Sequence, residues 1–334
     1  MDSHSPTNHP QISMEVPPYL RVYSDGTVER FAGTQVTPPG LDPQTNVLSK
    51  DIIIQPHTHL TARLYRPNNT PPHTKLPLLI YFHGGAFCIS SPADPLYHNS
   101  LNRLVSQANV VAFSVDYRLA PEHPLPTAYQ DSWDAVQWVA SHAFQHNNQQ
   151  EHDTWLTESV DFDRVFLAGD SAGANIAHFI ATKLHNSSDS NNKMRFFEIS
   201  GLIMIHPYFW GKEAIGVEAS DPERKKMVDK WWELVCPSEK GNDDPLINPF
   251  VEEAPGLECV VCRNVLVIVA ERDILKERGK LYHKSLVNNG AWKGKAELYE
   301  AEGEDHDFHI FNPDSDNANN LLKRIAAFIN NQDY

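Results

Sequence analysis

Five short, continuous apolar runs restrict the fold of this chain more than any other feature of its sequence. They lie at residues 78–82, 110–115, 165–168, 202–205 and 265–270. Strands buried on both faces have this composition, because helices cover both sides of a parallel sheet. Segments with helical spacing of apolar residues alternate with the runs, at 98–107, 129–142, 172–184, 276–288 and 318–329. The alternation predicts an α/β fold with a mostly parallel, doubly wound sheet and right-handed crossovers.

Two regions depart from this alternation. Residues 19–31 alternate around the turn Ser24-Asp25-Gly26 and predict a hairpin, and two further strands are predicted at 50–55 and 60–65. In the second region, between the runs at 202–205 and 265–270, residues 207–249 carry charges, prolines and the pair Trp231-Trp232. We interpret residues 208–248 as an insertion above the sheet that forms a cap or pocket wall, the alternative being a solvated helix with a core-facing tryptophan. Residues 1 to about 18 are either mobile or part of the same cap.

A serine at a tight turn is the sharpest chemical signal. The run at 165–168 continues into Gly169-Asp170-Ser171-Ala172-Gly173, and a helical pattern follows at once. A nucleophile elbow requires such a strand-to-helix turn, flanked by residues without bulky side chains. The first turn of the new helix also directs free N–H groups at negative charge beside the serine. Ser171 is therefore the candidate nucleophile, and a serine that merely caps a helix is the alternative.

A second loop carries glycines after a buried strand. Tyr81-Phe82-His83-Gly84-Gly85-Ala86-Phe87 brings consecutive backbone N–H groups to the end of the run at 78–82. Gly84 and Gly85, together with the N–H of Ala172, are predicted to form an oxyanion hole. His83 precedes the serine and lies within the turn, so we interpret it as a positioning residue rather than the base. A plain glycine loop is the alternative.

An acid and a histidine follow the serine in the required order. Asp273 comes directly after the run at 265–270, and His306 follows a predicted last strand at 295–300. The order Ser171, Asp273, His306 is the chain order of a hydrolase triad. Glu271 remains an alternative acid and His309 an alternative base at this point.

Charge and composition exclude several classes of partner. Asp and Glu outnumber Lys and Arg by 43 to 28, which gives a net charge of −15 and predicts no nucleic-acid or anionic membrane partner. The longest apolar run, 265–270, is far too short to span a bilayer. The first residues resemble no secretory signal, so a cytoplasmic location is expected. Cys259-x-x-Cys262 has no second pair of ligands at zinc spacing, so we predict no metal and no cofactor, with redox or metal use as the weaker alternative.

Together these motifs resemble a known family. They are His83-Gly84-Gly85, the segment from Asp116 to Pro124 beginning Asp116-Tyr117-Arg118, Gly169 to Gly173, His206-Pro207-Tyr208-Phe209 and His306-Asp307-Phe308-His309. In this order they are similar to the hormone-sensitive-lipase-like α/β-hydrolases, and more narrowly to the plant carboxylesterases, over nearly the whole chain. The resemblance implies one α/β-hydrolase domain over residues 1–334, with a helical cap from the N-terminal segment and an insertion near 210–245. It favours His306 over His309 as the base and Asp273 as the acid, and implies a structural role for residues 116–124.

The expected function is hydrolysis of small apolar or aromatic carboxylic esters through an acyl-enzyme. Phe87, Phe209, Trp231 and Trp232 are predicted to line the substrate pocket. Two alternatives come from the same resemblance. One is an eliminase similar to the 2-hydroxyisoflavanone dehydratases, and the other is a ligand receptor similar to the gibberellin receptor, whose relatives lack the histidine present here as His306. The natural ester and the oligomeric state are not predicted.

Overall fold

A nine-stranded sheet organises the computed structural model of the protein, which describes residues 10–143, 152–188 and 197–331. The described strands are β1 (Ile12–Val16), β2 (Leu20–Tyr23), β3 (Val28–Arg30), β4 (Leu41–Asp42), β5 (Val47–Gln55), β6 (Leu60–Pro67), β7 (Leu76–Phe82), β8 (Val111–Asp116), β9 (Val160–Asp170), β10 (Ile199–Ile205), β11 (Asn264–Ala270) and β12 (Lys295–Ala301). The described helices are α1 (Pro95–Ala108), α2 (Thr127–Ala143), α3 (Thr154–Ser159), α4 (Ala172–Ser188), α5 (Val217–Ser220), α6 (Pro222–Val235), α7 (Lys276–Asn288), α8 (Phe308–Phe311) and α9 (Asp316–Ile329).

The order of strands in the large sheet is β12-β11-β10-β9-β7-β8-β6-β5-β4. The six strands from β12 to β8 are parallel to one another, and β6, β5 and β4 continue the sheet in antiparallel fashion. The five apolar runs of the sequence are β7 to β11, as predicted. Their side chains are buried on both faces of the sheet, which explains why these strands lack polar alternation.

Helices cover the two faces of the sheet. Leu78, Ile80 and Phe82 of β7 pack into a core shared with α2, α4 and α7, whereas Leu79 and Tyr81 point into a second core shared with α1 and α9. The helix ends follow local chemistry. The Asp94 side chain accepts from the Leu96 N–H at the start of α1, and that of Ser315 accepts from the Ala318 N–H at the start of α9. Within the described ranges, no helix combines the length and apolarity needed to cross a bilayer.

A smaller structure covers the large sheet at the carboxyl end of its parallel strands. The strands β1, β2 and β3 form a three-stranded antiparallel sheet, which confirms the predicted hairpin and adds β1 to it. This part of the cover is therefore a sheet rather than a helix, and β1 packs against α6. The predicted insertion provides α5 and α6, the latter beginning at the capping residue Asp221. Residues 1–9, which belong to the segment predicted to be mobile or part of the cap, lie outside the described residues.

Candidate active site

Three side chains from three separate loops meet at the carboxyl end of the parallel strands. The Oγ of Ser171 lies 2.9 Å from Nε2 of His306. The Nδ1 of the same imidazole lies 2.7 Å from Oδ2 of Asp273. Since β9, β11 and β12 are parallel, the loops that follow them share one edge of the sheet, and residues far apart in sequence converge there. The structure thus brings together the serine, acid and histidine that the sequence singled out.

The serine lies at a strained turn between β9 and α4. Its φ is 51°, in the left-handed region that residues other than glycine rarely adopt. The Ser171 N–H donates to the carbonyl of Ile205 at 2.8 Å, which holds the turn against the neighbouring strand. A Cβ at Gly173 would overlap the carbonyl of Phe82, so only glycine allows β7 to approach this closely. The G-x-S-x-G pattern therefore has the strand-to-helix context of a nucleophile elbow.

The acid is buried and held in place from two sides. Asp273 is 1% exposed, and its Oδ1 accepts the Leu275 N–H at 2.9 Å while Oδ2 faces His306. Burial raises the pKa of Asp273, but the nearby imidazole of His306 outweighs burial and holds that pKa below its ordinary value. An ionised carboxylate on Nδ1 orients the imidazole so that Nε2 faces the serine.

The electrostatics of the histidine are dominated by carboxylates. Burial lowers the pKa of His306, but the carboxylates of Asp273 and Asp307 outweigh it and raise the pKa to about 10. Asp307 contributes directly, because its Oδ2 lies 3.2 Å from Nε2. The two carboxylates therefore stabilise the imidazolium form of His306 relative to that of an exposed histidine.

The alternative acid and base are placed elsewhere. Glu271 is exposed and its Oε2 accepts the N–H of Gly303 at 2.6 Å, away from the imidazole. His309 is 4% exposed, and burial lowers its pKa to about 3. His83 is also buried, with its ring stacked on Tyr117 at 4.3 Å between centroids, and burial lowers its pKa to about 4. This geometry fits a positioning role for His83. It does not fit Glu271 as the acid of the triad or His309 as its base.

One predicted oxyanion donor in the glycine loop after β7 is already hydrogen-bonded to other groups. The N–H of Gly84 already donates to the hydroxyl of Tyr97 at 3.0 Å and to Oδ1 of Asp170 at 3.1 Å. It is therefore not available as an oxyanion donor, contrary to the sequence prediction. Gly85 and Ala86, with φ of 96° and 50°, line the same cavity as Ser171. Among the residues that the structure describes, neither of their N–H groups has an acceptor.

A buried carboxylate ties this loop to the elbow. Asp170 is 0% exposed and accepts from the hydroxyl of Tyr81 at 2.7 Å and from that of Tyr97 at 2.6 Å, in addition to the Gly84 N–H. Burial and the nearby Asp307 raise the pKa of Asp170 above its ordinary value. The residue next to the candidate nucleophile thereby fixes the position of the glycine loop.

A cavity of about 250 Å³ opens above the serine. Its walls come from the strand-end loops, from the turns beside the small sheet and from α1, α6 and α8, and they include Tyr19, Gly85, Ala86, Leu96, Ser171, Tyr208, Met227, Trp231, Ile274, His306 and Phe311. Of the four predicted pocket residues, Trp231 lines this cavity and packs against Tyr19, with ring centroids 5.5 Å apart.

The other three predicted pocket residues do not reach the cavity. Phe87, Phe209 and Trp232 are each 0% exposed and belong to the core beneath it, so their assignment to the pocket is wrong. Trp232 instead donates from Nε1 to the carbonyl of Gly241 at 2.9 Å, inside the insertion. Adjacent tryptophans on a helix point in different directions, and the composition of the segment does not reveal which of them faces a ligand.

Groups that could hold a metal coincide with the triad and its neighbours. In the described ranges these groups are His206, Asp273 and His306, and His206, Asp307 and His309, with ligand atoms within 4.8 Å of one another. An ion there would engage the groups that orient His306. All four cysteines are free thiols, including both of the C-x-x-C pair, and Cys262 is buried.

Sequence reasoning missed Ala86, Tyr97, Asp170 and Asp307 as members of the site. Three of them are adjacent in sequence to a predicted site residue: Ala86 follows Gly85, Asp170 precedes Ser171 and Asp307 follows His306. Only Asp170 offers a signal, as an acidic residue among apolar and small ones, because a buried carboxylate requires partners. Tyr97 carries no comparable signal, because it lies on α1, outside all of these motifs.

Comparisons with known proteins agree with this architecture. Residues 79–310 match a protein family described as having the alpha/beta hydrolase fold. The chain is 54% identical over 320 residues to "Probable carboxylesterase 2" of Arabidopsis thaliana, a match that covers 96% of this chain and 97% of that one. It is 42% identical over 329 residues to a 2-hydroxyisoflavanone dehydratase of Glycyrrhiza echinata, covering 98% and 99% of the two chains. A hyperthermophilic esterase from the archaeon Pyrobaculum calidifontis superposes with a TM-score of 0.67 at 26% identity, covering 85% of each chain.

Proposed function

Because the chain belongs to the family of proteins with the α/β-hydrolase fold, we propose that it is a carboxylesterase with Ser171 as its nucleophile. The observation that carries the proposal is the continuous series of hydrogen bonds from Ser171 through His306 to Asp273. The name of the 54% identical relative and the esterase structure from the archaeon support the same activity.

The reaction begins with a proton transfer. His306 takes the proton of the Ser171 hydroxyl on Nε2 as Oγ forms a bond to the carbonyl carbon of the ester, and the carbonyl π electrons move to the oxygen. Asp273 keeps the imidazole oriented and stabilises its protonated form. The imidazolium then returns the proton to the leaving alkoxide as the C–O bond breaks. A water deprotonated by His306 attacks the acyl-enzyme in the same way and releases the acid.

The oxyanion is stabilised by backbone N–H groups around the elbow. We assign this role to Gly85, Ala86 and Ala172, in place of the predicted set that included Gly84. Ala172 is the first residue of α4, so its N–H has no partner within the helix and lies at the positive end of the helix dipole. Gly85 and Ala86 line the cavity beside Ser171. Loss of one such donor typically costs about 10²–10³ in rate.

The substrate is a small-molecule ester with apolar or aromatic groups. The cavity is lined by Tyr19, Trp231, Met227 and Ile274, whose side chains offer apolar surface, and its size suits a small ester. The carboxylates around His306 also favour a neutral substrate over an anionic one.

The two alternative functions fit less well. The 42% identical dehydratase supports elimination, but here the serine lies within hydrogen-bond distance of the base, as nucleophilic catalysis requires. A receptor that binds a ligand without turning it over would not require the hydrogen bond between His306 and Ser171. Release of the dehydrated isoflavone from a 2-hydroxyisoflavanone, at a rate matching ester turnover, would favour elimination.

Two further properties belong to this proposal. A single catalytic domain is supported by the one sheet that carries the loops of Gly85, Ser171, Asp273 and His306. A cytoplasmic location is consistent with the four free thiols, which a reducing compartment maintains.

The test compares Ser171→Ala with Ser132→Ala in hydrolysis of p-nitrophenyl butyrate and in labelling by a fluorophosphonate. Ser132 is a buried serine of α2 and serves as the matched control. We expect Ser171→Ala to lose a factor on the order of 10⁴ or more in kcat and all labelling, and Ser132→Ala to keep both. Full hydrolysis or labelling by Ser171→Ala would overturn the proposal.

A further inference from the structure

The carboxylate of Asp307 lies against the nitrogen of His306 that carries the proton. Its Oδ2 is 3.2 Å from Nε2, the same atom that hydrogen-bonds Ser171 at 2.9 Å. Its Oδ1 is 3.1 Å from Nδ1 of His206, and the residue is 5% exposed. The backbone of Asp307 has φ of 52°, a left-handed conformation that Asp and Asn adopt more readily than most other residues with a side chain. A Ser-His-Asp triad requires one carboxylate, on Nδ1, whereas this imidazole has a carboxylate at each nitrogen.

An anion at this distance acts differently on the two states of the base. It repels the lone pair of the neutral imidazole and attracts the N–H of the imidazolium. In the active form of the enzyme the base is neutral before Ser171 attacks and protonated until the alkoxide leaves, so the attraction is strongest during the chemical steps. An interaction that strengthens in the transition state raises kcat.

The charged and titratable groups around this pair come from every neighbouring element. Asp170 ends β9, His206 follows β10, Asp273 follows β11, and His309 lies on α8, while Arg224 of α6 pairs with Asp305 at 2.7 Å. Burial raises the pKa of Asp307, but His306 and His206 outweigh it and hold that pKa well below its ordinary value. Burial and Asp307 together raise the pKa of Asp170. The imidazoles of His306 and His206 on its two sides therefore favour the ionised form of Asp307.

We propose that Asp307 is a second catalytic carboxylate, which stabilises the proton on Nε2 of His306 during acylation and deacylation. This inference rests on the proposed function. Asp307 stays ionised throughout. The proton moves from Ser171 Oγ to Nε2 and then to the leaving alkoxide, and later from water to Nε2 and back to Ser171. The same charge has a cost, because a base with two carboxylates needs a higher pH to lose its proton and become active.

The decisive experiment measures the pH profile of kcat/KM for p-nitrophenyl butyrate in Asp307→Asn and Glu304→Gln. Both variants remove one carboxylate charge from the same loop, and Glu304 points away from the triad to accept from Asn317 at 2.8 Å. We expect the acid limb of Asp307→Asn to move to lower pH by about one unit or more, since a neighbouring opposite charge shifts a pKa by that amount. We expect its kcat at high pH to fall about tenfold, the effect of one pKa unit on the stability of the imidazolium. The limb of Glu304→Gln should not move.

A second readout does not depend on turnover. The pKa of His306, followed by ¹⁵N NMR of the imidazole in the full-length protein, should be lower in Asp307→Asn than in the wild type. Asn is isosteric and tolerates the left-handed backbone, and Asp307→Gly, which has the same backbone freedom, is the second variant should Asp307→Asn fail to fold. The proposal would be overturned if the pKa of His306 were unchanged in the folded variant. It would also be overturned if the acid limbs of the pH profiles of Asp307→Asn and Glu304→Gln lay at the same pH. If the wild type neither hydrolyses esters nor reacts with a fluorophosphonate, the proposed function fails, while the NMR titration still decides whether Asp307 controls His306.

Discussion

The floor of the cavity is formed by loops at the ends of parallel strands, whereas its cover is formed by the small sheet β1–β3 and by α6. In the floor, Ser171 and Asp273 are each less than a tenth exposed, and their backbone N–H groups donate to the ends of strands, to Ile205 of β10 and to Ala270 of β11. The cover meets the floor through a shared apolar core, in which Val16, Leu20 and Trp232 are buried, and through a few polar side chains. Arg30 donates to the carbonyls of Cys88 and Ala120, and Arg224 donates to that of Arg272.

The difference indicates a division of tasks. Catalysis requires donors and acceptors held within a fraction of an ångström, which a sheet edge provides because each loop is fixed at both ends. Surface ion pairs such as Arg224 with Asp305 contribute little to stability and restrict a wall only weakly. We therefore expect substitutions in the floor to reduce kcat, and substitutions in the cover to change KM.

The largest effect is expected at the acid of the triad. Asp273→Asn should lower kcat by about 10⁴-fold, because an amide cannot hold the imidazole in the required tautomer. The matched control is Glu271→Gln, which removes an exposed carboxylate two residues away, and it should stay within about tenfold of the wild type. Steady-state hydrolysis of p-nitrophenyl butyrate measures both. Equal losses in the two variants would contradict the assignment of Asp273.

A smaller effect on kcat is expected at Tyr97, which lies beneath the loop that carries the oxyanion donors. Tyr97→Phe removes a hydroxyl that joins Asp170 to the N–H of Gly84, and leaves a buried carboxylate oxygen without that partner. This costs about 1–3 kcal/mol, and we expect a decrease of about tenfold in kcat with little change in KM, because the loop that carries Gly85 shifts.

The control for this variant is Tyr282→Phe. Tyr282 is also buried, and its hydroxyl hydrogen-bonds Nδ1 of His178 at 2.9 Å, away from the residues that line the cavity. It should lose stability in thermal unfolding and keep kcat. A parallel loss of kcat in both variants would mean that general destabilisation, and not the position of the loop, lowers the activity.

The smallest effect on activity is expected in the cover. Trp231→Ala should raise KM about fivefold with kcat nearly unchanged, because it removes apolar surface that contacts substrate equally in the ground and transition states. Trp232→Ala should instead lower the free energy of unfolding by about 3–5 kcal/mol, as the loss of a fully buried tryptophan does. Denaturant unfolding and steady-state kinetics of both variants separate the two roles. An increase in KM for Trp232→Ala as large as that for Trp231→Ala would break the distinction between cavity wall and core.

Much of the floor could be predicted from the sequence. The strands β7 to β11 are continuous apolar runs, and the turn at Ser171 requires small residues at Gly169 and Gly173, so both leave a local pattern. The order Ser171, Asp273, His306 follows from which loops succeed which strands. Such local patterns can be recognised in the sequence because each depends only on residues that are neighbours in the chain.

The cover and the finer geometry could not be predicted in the same way. The strand β1 alternates apolar and polar residues, but it is only five residues long and lies in a proline-bearing polar segment, and nothing local indicates which strand it pairs with. Helical spacing assigns Trp231 and Trp232 to a helix without telling which of them meets the cavity. The assignment of Gly84 as a donor failed because its N–H is engaged by Tyr97 and Asp170, two side chains from other elements.

The sequence by itself determined the α/β order of elements, the elbow at Ser171 and the identity of the candidate acid and base, since each is a property of a few consecutive residues. Only the tertiary structure decided which N–H groups are free, which aromatic side chain reaches the cavity and that Asp307 faces the reacting nitrogen of His306. The physical reason is that hydrogen bonds and charge interactions act over a few ångströms in space, and the partners of these groups are up to a hundred or more residues away along the chain.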